Sequence, residues 1–226
     1  MLGSVWWRKW VARRKGGHAV FACDDALARV ADCVMDACEY VVALGGEAPA
    51  NALHLAARAQ DRECLACEHE SDRYHTALNL GAASKNFYLY NLTPAEFLRH
   101  IDTEKPYLYS RDALVVLDVA GGGARRDVLA EMEHICGRFE GAFVLLVGCR
   151  VPGGTGFTAT RVDGHDFSLR DARVWRLLED GTIFYPRYRI TGRRRGAVPG
   201  WGLATLGRNA LYTFPDAIMR DLRRVE

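Results

Sequence analysis

Apolar and polar positions follow two periods in turn along this chain. Short apolar runs, typical of strands buried on both faces, occur at Tyr40–Leu44, Leu114–Leu117 and Ala142–Val147. Between these runs, apolar residues recur every three or four positions, which predicts amphipathic helices. Strands that alternate with helices favour one α/β domain whose sheet is mostly parallel.

Capping residues indicate where several of these helices begin. Asp24 or Asp25 would cap a helix that leads into the first strand, and Asp127 would cap the helix after the Leu114–Leu117 run. The sequence Thr93-Pro94-Ala95-Glu96 is a capping box with proline at the first helical position. A further helix would open near Ser168 and Asp171.

The pattern changes towards the C-terminus. Thr182–Tyr185 is typical of a strand. Leu203–Leu206 and Leu211–Phe214 predict an antiparallel hairpin across a turn at Gly207–Ala210. Residues 1–22 read as a basic, aromatic N-terminal extension, and residues 23–226 as a single domain.

Composition narrows the class of protein. The chain has 226 residues, of which 49% are hydrophobic and 26% charged, as in an ordinary globular protein. A net charge of +2 is too small to indicate nucleic-acid binding. No apolar run reaches the ~20 residues that span a bilayer, and no secretory leader is visible, so we expect a cytoplasmic protein. The seven cysteines, an odd number, predict reduced thiols.

One stretch, Tyr40–Glu68, has the order of a nucleotide-binding unit. Gly45 and Gly46 would allow a tight turn after the first strand, and Pro49 suits the start of a helix. Glu68 follows at about the 20-residue spacing that places an acid against a ribose hydroxyl. The glycine pattern is not the full dinucleotide-binding motif, so a strand–helix–strand unit without a ligand is the alternative.

Five phrases, in this order and spacing, resemble the class I S-adenosylmethionine-dependent methyltransferases, nearest to small-molecule O-methyltransferases. They are VALGGEAPANAL, CLACEHESDRY, LNLGAASKNFYLYNLTPAEFL, LVVLDVAGGG and AFVLLVGCRVPGG, and they cover about residues 40–155. The resemblance implies a Rossmann-like, mostly parallel seven-stranded sheet with helices on both faces and an antiparallel C-terminal hairpin. It also implies S-adenosyl-L-methionine as cofactor and a small hydroxylated acceptor, such as a sugar or a natural product.

The resemblance implies a role for five residues. The Gly45–Gly46 turn would lie under the methionine part of the cofactor, and Glu68 would bind the ribose hydroxyls. Asn91 would lie near the adenine. Asp118 would face the transferred methyl group and orient or deprotonate the acceptor. His69 directly follows the proposed ribose acid, so it would touch the adenosine or the substrate, or else be an ordinary solvated histidine.

The sequence departs from the family at three places. The family's acid near the end of the first strand is replaced by Ala43 and Leu44. An Asp-Ala-His segment is replaced by Asp118 followed by valine and alanine, and an Asp-Asp pair by Gly148 and Cys149. Because a divalent metal needs several oxygen ligands, we expect no metal. The alternative function is a binding or scaffolding module that kept the fold and lost the chemistry.

Three other groups of residues have competing interpretations. Cys64 and Cys67 have the spacing of a metal or redox pair, but within a strand they would face opposite sides, which favours a structural role. A cluster of arginines from Arg187 to Arg195 would bind an anionic small molecule or form a solvated loop. Trp6, Trp7 and Trp10, interleaved with basic residues, would contact a membrane surface or pack on the domain.

Overall fold

The computed structural model describes residues 21, 24–120, 126–162, 164–190 and 198–224. Trp6, Trp7 and Trp10 lie outside these residues, as does the segment Arg193–Arg195. The division into an extension and a single domain, and the roles suggested for those tryptophans and arginines, therefore stay predictions. Among the described helices, none is long and apolar enough to cross a membrane.

Helices and strands alternate through the first two thirds of the chain. The helices are α1 (Asp25–Asp36), α2 (Ala48–Arg58), α3 (Ser71–Gly81), α4 (Pro94–Glu104), α5 (Val128–Arg138), α6 (Ala172–Leu177) and α7 (Asp216–Met219), with a 3-10 helix at Pro106–Ser110. The strands are β1 (Tyr40–Gly45), β2 (Glu63–Cys67), β3 (Phe87–Tyr90), β4 (Ala113–Asp118), β5 (Gly141–Val147), β6 (Phe157–Thr158), β7 (Arg161–Val162), β8 (His165–Asp166), β9 (Thr182–Pro186), β10 (Val198–Pro199), β11 (Trp201–Gly207) and β12 (Leu222–Arg224). The predicted caps Asp24, Thr93 and Asp127 all accept hydrogen bonds from the first turn of their helices.

The main sheet has the order β12-β9-β11-β5-β4-β1-β2-β3. Strands β1 to β5 are parallel, while β11, β9 and β12 are joined by antiparallel pairing. The prediction of a Rossmann-like, mostly parallel sheet is confirmed. The sheet has eight strands rather than the predicted seven, because β12 adds an edge strand next to β9.

The predicted C-terminal hairpin is wrong in its second arm. The segment Leu211–Phe214 forms no strand, and Leu211 is 92% exposed. Both edges of β11 are already occupied, since Leu203 pairs with Leu145 on one side and Phe184 on the other. With no free edge to join, the aromatic residues of this segment pack on a face of the sheet instead.

Helices cover both faces of the sheet and enclose a separate apolar core on each. One core joins α4, α5 and α6 to one face, and the other joins α1, α2 and α7 to the opposite face. Cys67 belongs to the first core and Cys64 to the second, as the strand period predicts. The six described cysteines are free thiols.

A buried carboxylate joins the start of α1 to the C-terminal part of the sheet. One oxygen of Asp24 accepts hydrogen bonds from the backbone N–H groups of Ala26 and Leu27, each at 3.1 Å. The other oxygen accepts from the Tyr188 hydroxyl and, at 3.1 Å, from the indole N–H of Trp201. This single side chain therefore caps a helix and satisfies two aromatic donors from distant parts of the chain.

We expect Asp24→Ala to lower the free energy of unfolding by about 2–4 kcal/mol, since it removes a helix cap and the buried acceptor that the Tyr188 hydroxyl and the Trp201 indole share. The matched variant Tyr188→Phe loses one hydroxyl and should cost about 1 kcal/mol. Urea unfolding followed by circular dichroism measures both. Equal stability of Asp24→Ala and the wild type would show that the network does not stabilise the fold.

Candidate functional site

The candidate site lies at the carboxyl ends of β1, β2 and β4. The chain leaves β1 towards β2 on one side, whereas β4 lies on the other side, so a crevice opens between β1 and β4. Open α/β sheets bind their ligands at such a change of direction. Gly45 and Asp118 are register partners at the last position of these two strands.

The turn after β1 has the geometry that its glycines predict. Gly45 has a φ of +102°, in the region that favours glycine. A Cβ at this position would lie only 2.0 Å from the carbonyl oxygen of Asp118. The N–H of Gly46 donates to the carbonyl oxygen of Ala120 at 2.7 Å. The turn after β1 is thus held directly against the loop after β4.

Asp118 is buried beneath this turn rather than exposed in an open cleft. One carboxylate oxygen accepts from the N–H of Ala120 at 2.9 Å, and the other accepts from the N–H of Glu47 at 3.2 Å. Burial raises the pKa of the Asp118 carboxyl to about 6, although these hydrogen bonds oppose the shift. In this position the carboxylate holds the two loops together.

Glu68 directly follows the last residue of β2 and faces a narrow cleft beside the glycine turn. The cleft encloses only about 10 Å³, and its lining includes Gly45, Gly46, Glu68, His69, Arg73 and Pro94. Glu68 is buried, and its Oε1 accepts from the N–H of Glu70 at 2.9 Å. The structure therefore brings four of the predicted cofactor residues together. Asn91 is exposed and outside the residues that line the cleft, where Leu92 lies instead.

Glu47, which the sequence did not single out, adds a second acid next to Asp118. Burial, followed by the charge of Asp118, raises the pKa of Glu47 to about 7, while Arg73 opposes the shift. Arg73 donates to the carbonyl oxygen of Gly46 at 3.3 Å and pairs with Glu70 at 3.1 Å. The turn is therefore surrounded by acids whose charge varies near neutral pH.

Arg126, also missed from the sequence, lies over the glycine turn. Its side chain is 4% exposed and pairs at 2.7 Å with Glu131, which is 3% exposed. Its Nη1 donates to the carbonyl oxygens of Asp118 and Ala120, at 2.5 and 3.1 Å. One signal was available in the sequence, because Glu131 is an acid on the otherwise apolar face of α5 and a buried acid needs a partner.

A wider groove of about 350 Å³ lies between the N-terminal ends of α4 and α5. Its lining includes Thr93, Arg99, His134 and the Arg126–Glu131 pair, and it shares Pro94 with the narrow cleft. Within the described residues, no three His, Cys, Asp or Glu side chains are grouped so that they could hold a metal ion.

Comparisons with known proteins identify the fold. No family model matches the sequence, and no curated protein gives a significant match. A spermidine synthase in complex with the transition-state analogue AdoDATO has a TM-score of 0.57 and 15% identity, over 87% of this chain and 64% of that one. An O-methyltransferase family protein from Burkholderia thailandensis has a TM-score of 0.51 and 11% identity, over 81% of this chain and 55% of that one.

The chain spans less than two thirds of the length of both of these proteins. At such low identity the similarity concerns the fold alone. The chain has the fold of the class I S-adenosylmethionine-dependent methyltransferases, as its sequence resemblance predicted.

Proposed function

We propose that this protein binds S-adenosylmethionine at the carboxyl ends of β1 and β2 and transfers its methyl group to a small hydroxylated acceptor. One observation carries the proposal: Glu68 is buried at the end of β2, in the same cleft as the Gly45–Gly46 turn. A ribose placed against Glu68 would direct its 5′ substituent towards this turn.

Glu68 has the chemistry to hold a ribose. A carboxylate offers about four lone-pair positions, and the N–H of Glu70 uses one of those on Oε1. The remaining positions can accept both ribose hydroxyls in charge-assisted hydrogen bonds, which are stronger than neutral ones. His69 and Pro94 border the same cleft and would contact the nucleoside.

The acids around the turn suit the positive charge of a sulfonium. Glu47 and Asp118 meet at the turn, and Glu68 lies close enough to influence the pKa of Glu47. Ionised carboxylates in a partly buried site attract a cation more strongly than they would in water. Glu47 thereby supplies a charge near the position where the family's first-strand acid is replaced by Ala43 and Leu44.

The hydroxylated acceptor is supported by the resemblance of the sequence to small-molecule O-methyltransferases. Methyl transfer requires mainly that nucleophile and methyl group are aligned, with a base if the acceptor is a hydroxyl. The resemblance assigns the role of base to Asp118, whose carboxylate lies buried beneath the turn and would have to leave this position to reach an acceptor hydroxyl. Its two oxygens also hold the backbone of Glu47 and Ala120, so in our proposal Asp118 positions the turn as well.

The second candidate is a binding or scaffolding module that has lost methyl transfer. It is favoured by the Arg126 guanidinium, which fills the space over Gly45, and by the engaged carboxylate of Asp118. Cys149, where the family has an acid, is fully buried. Such a module would bind a nucleoside ligand without forming S-adenosylhomocysteine from S-adenosylmethionine in the presence of any hydroxylated acceptor.

We expect Glu68→Gln to weaken the binding of S-adenosylmethionine by about 1–3 kcal/mol, because the amide removes the charge that strengthens the hydrogen bonds to ribose. Isothermal titration calorimetry measures this loss, with S-adenosylhomocysteine as a second ligand. The matched control is Glu104→Gln, at the exposed C-terminal end of α4, which should leave the affinity unchanged. If the wild-type protein binds neither ligand at millimolar concentration, the methyltransferase function is excluded.

We expect the affinity for S-adenosylmethionine to rise as the pH increases from about 6 to 8. The pKa values of Asp118 and Glu47 are raised to about 6 and about 7, so both carboxyls are largely protonated below this range and ionised above it. Each proton lost adds a negative charge near the sulfonium. The affinity for S-adenosylhomocysteine, a neutral thioether, should change less.

The matched variant for this pH series is Glu47→Gln, which keeps the size of the side chain and removes its titration. Its affinity for S-adenosylmethionine should vary less with pH than that of the wild type, when both are measured by calorimetry. A pH profile identical to the wild type would show that Glu47 does not face the bound cation.

A further inference from the structure

The Arg126 guanidinium lies directly over Gly45, in space where the absence of a side chain would otherwise leave room for a ligand. Its Nη1 and Nη2 are 2.7 and 3.0 Å from the point where a Cβ on Gly45 would lie. Its Nη1 is also bound to the carbonyl oxygens of Asp118 and Ala120. A side chain of the protein itself is thus packed on the turn over which the proposed cofactor would extend.

Strong contacts hold this guanidinium in place. Its Nε donates to both carboxylate oxygens of Glu131, at 2.9 and 3.1 Å, and its Nη2 donates to one of them at 2.7 Å. Both side chains are almost fully buried. Because removal of one partner from a buried ion pair leaves an uncompensated charge, the pair is expected to move or be replaced only as a unit.

The surroundings of the guanidinium would suit any cation. Two carbonyl oxygens point at it, and the carboxylate of Asp118 lies beneath the same turn, next to Glu47. A sulfonium is also a cation, and two positive charges in one partly buried position repel each other. The same electronegative position therefore cannot favour Arg126 and a sulfonium at once.

We infer that Arg126 occupies the cation position of the cofactor site and competes there with the sulfonium of S-adenosylmethionine. This inference rests on the proposed function and names the residue that determines which ligands the site accepts. In this proposal adenosine opens the narrow cleft around Glu68 and contacts its lining, which includes His69 and Arg73 but not Arg126. Adenosine should therefore bind without disturbing the pair, whereas S-adenosylmethionine must displace it.

The test compares adenosine, S-adenosylhomocysteine and S-adenosylmethionine by calorimetry on the full chain. The variant Arg126→Met/Glu131→Leu replaces both members of the pair, so that no buried charge is left unpaired. The control, Arg111→Met/Glu39→Leu, removes an exposed ion pair next to the amino end of β1. This pair lies at the opposite end of the parallel strands from the candidate site. A third variant, Arg126→Lys, keeps a positive charge at the site.

We expect Arg126→Met/Glu131→Leu to bind S-adenosylmethionine about tenfold more tightly than the wild type, or better, with unchanged affinity for adenosine. The control variant and Arg126→Lys should behave like the wild type. If adenosine binds but the double variant does not gain affinity for S-adenosylmethionine, the inference is overturned and the nucleoside cleft stands. If no protein binds any of the three ligands, the proposed function fails and the inference fails with it.

A measurement on the wild-type protein covers the case in which the double variant does not fold. Saturating S-adenosylmethionine should speed hydrogen exchange in the first turn of α5, around Glu131, because the buried pair loses its position. Adenosine should leave that exchange unchanged. Slower or equal exchange with S-adenosylmethionine, when calorimetry shows that it binds, would overturn the displacement of Arg126.

Discussion

The close approach of β1 and β4 at Gly45 is the constraint on which the candidate site depends. Only a glycine allows the turn after β1 to lie against the carbonyl oxygen of Asp118, because a Cβ there would be 2.0 Å from that atom. The approach also lets the Asp118 carboxylate reach the N–H of Glu47 across the crevice. It brings the backbone carbonyls after β4 to the position where Arg126 binds them. Turn, acids and arginine therefore form one arrangement.

This arrangement suits two different cations. The buried Glu68 and the glycine turn are suited to a nucleoside with a positively charged substituent, which supports the proposed cofactor. The same electronegative turn is suited to the guanidinium of Arg126, and that supports a module without methyl transfer. Both candidate functions follow from the negative electrostatic potential at the turn. They differ in the cation that the turn holds, which is a sulfonium in the methyltransferase and the Arg126 guanidinium in the binding module.

The elements of the sheet could be predicted because each strand is decided by a local pattern. A strand buried on both faces must be apolar at every position, as in Leu114–Leu117, and the structure extends that run by only one residue at each end. Thr93 and Asp127 can be predicted as caps from the sequence because their side chains accept from N–H groups only three residues away. The Leu211–Phe214 segment has an equally strand-like pattern, yet strand pairing depends on a free edge. Trp201–Gly207 has none, since β5 and β9 occupy both sides.

The sequence by itself determined the parallel sheet, the two-faced core and the meeting of Gly45, Glu68 and His69 at one edge. These follow from periodicity and from the rule that parallel strands present their carboxyl ends together. Only the tertiary structure decided which groups the side chains at the carboxyl ends of these strands contact. Whether Asp118 faces a ligand or two backbone N–H groups depends on the distance between two loops, which no local pattern encodes. Arg126 and Glu131 are only five residues apart, but the position of the guanidinium over Gly45 depends on how the loop after β4 packs against the turn after β1, and these two loops are distant in the sequence.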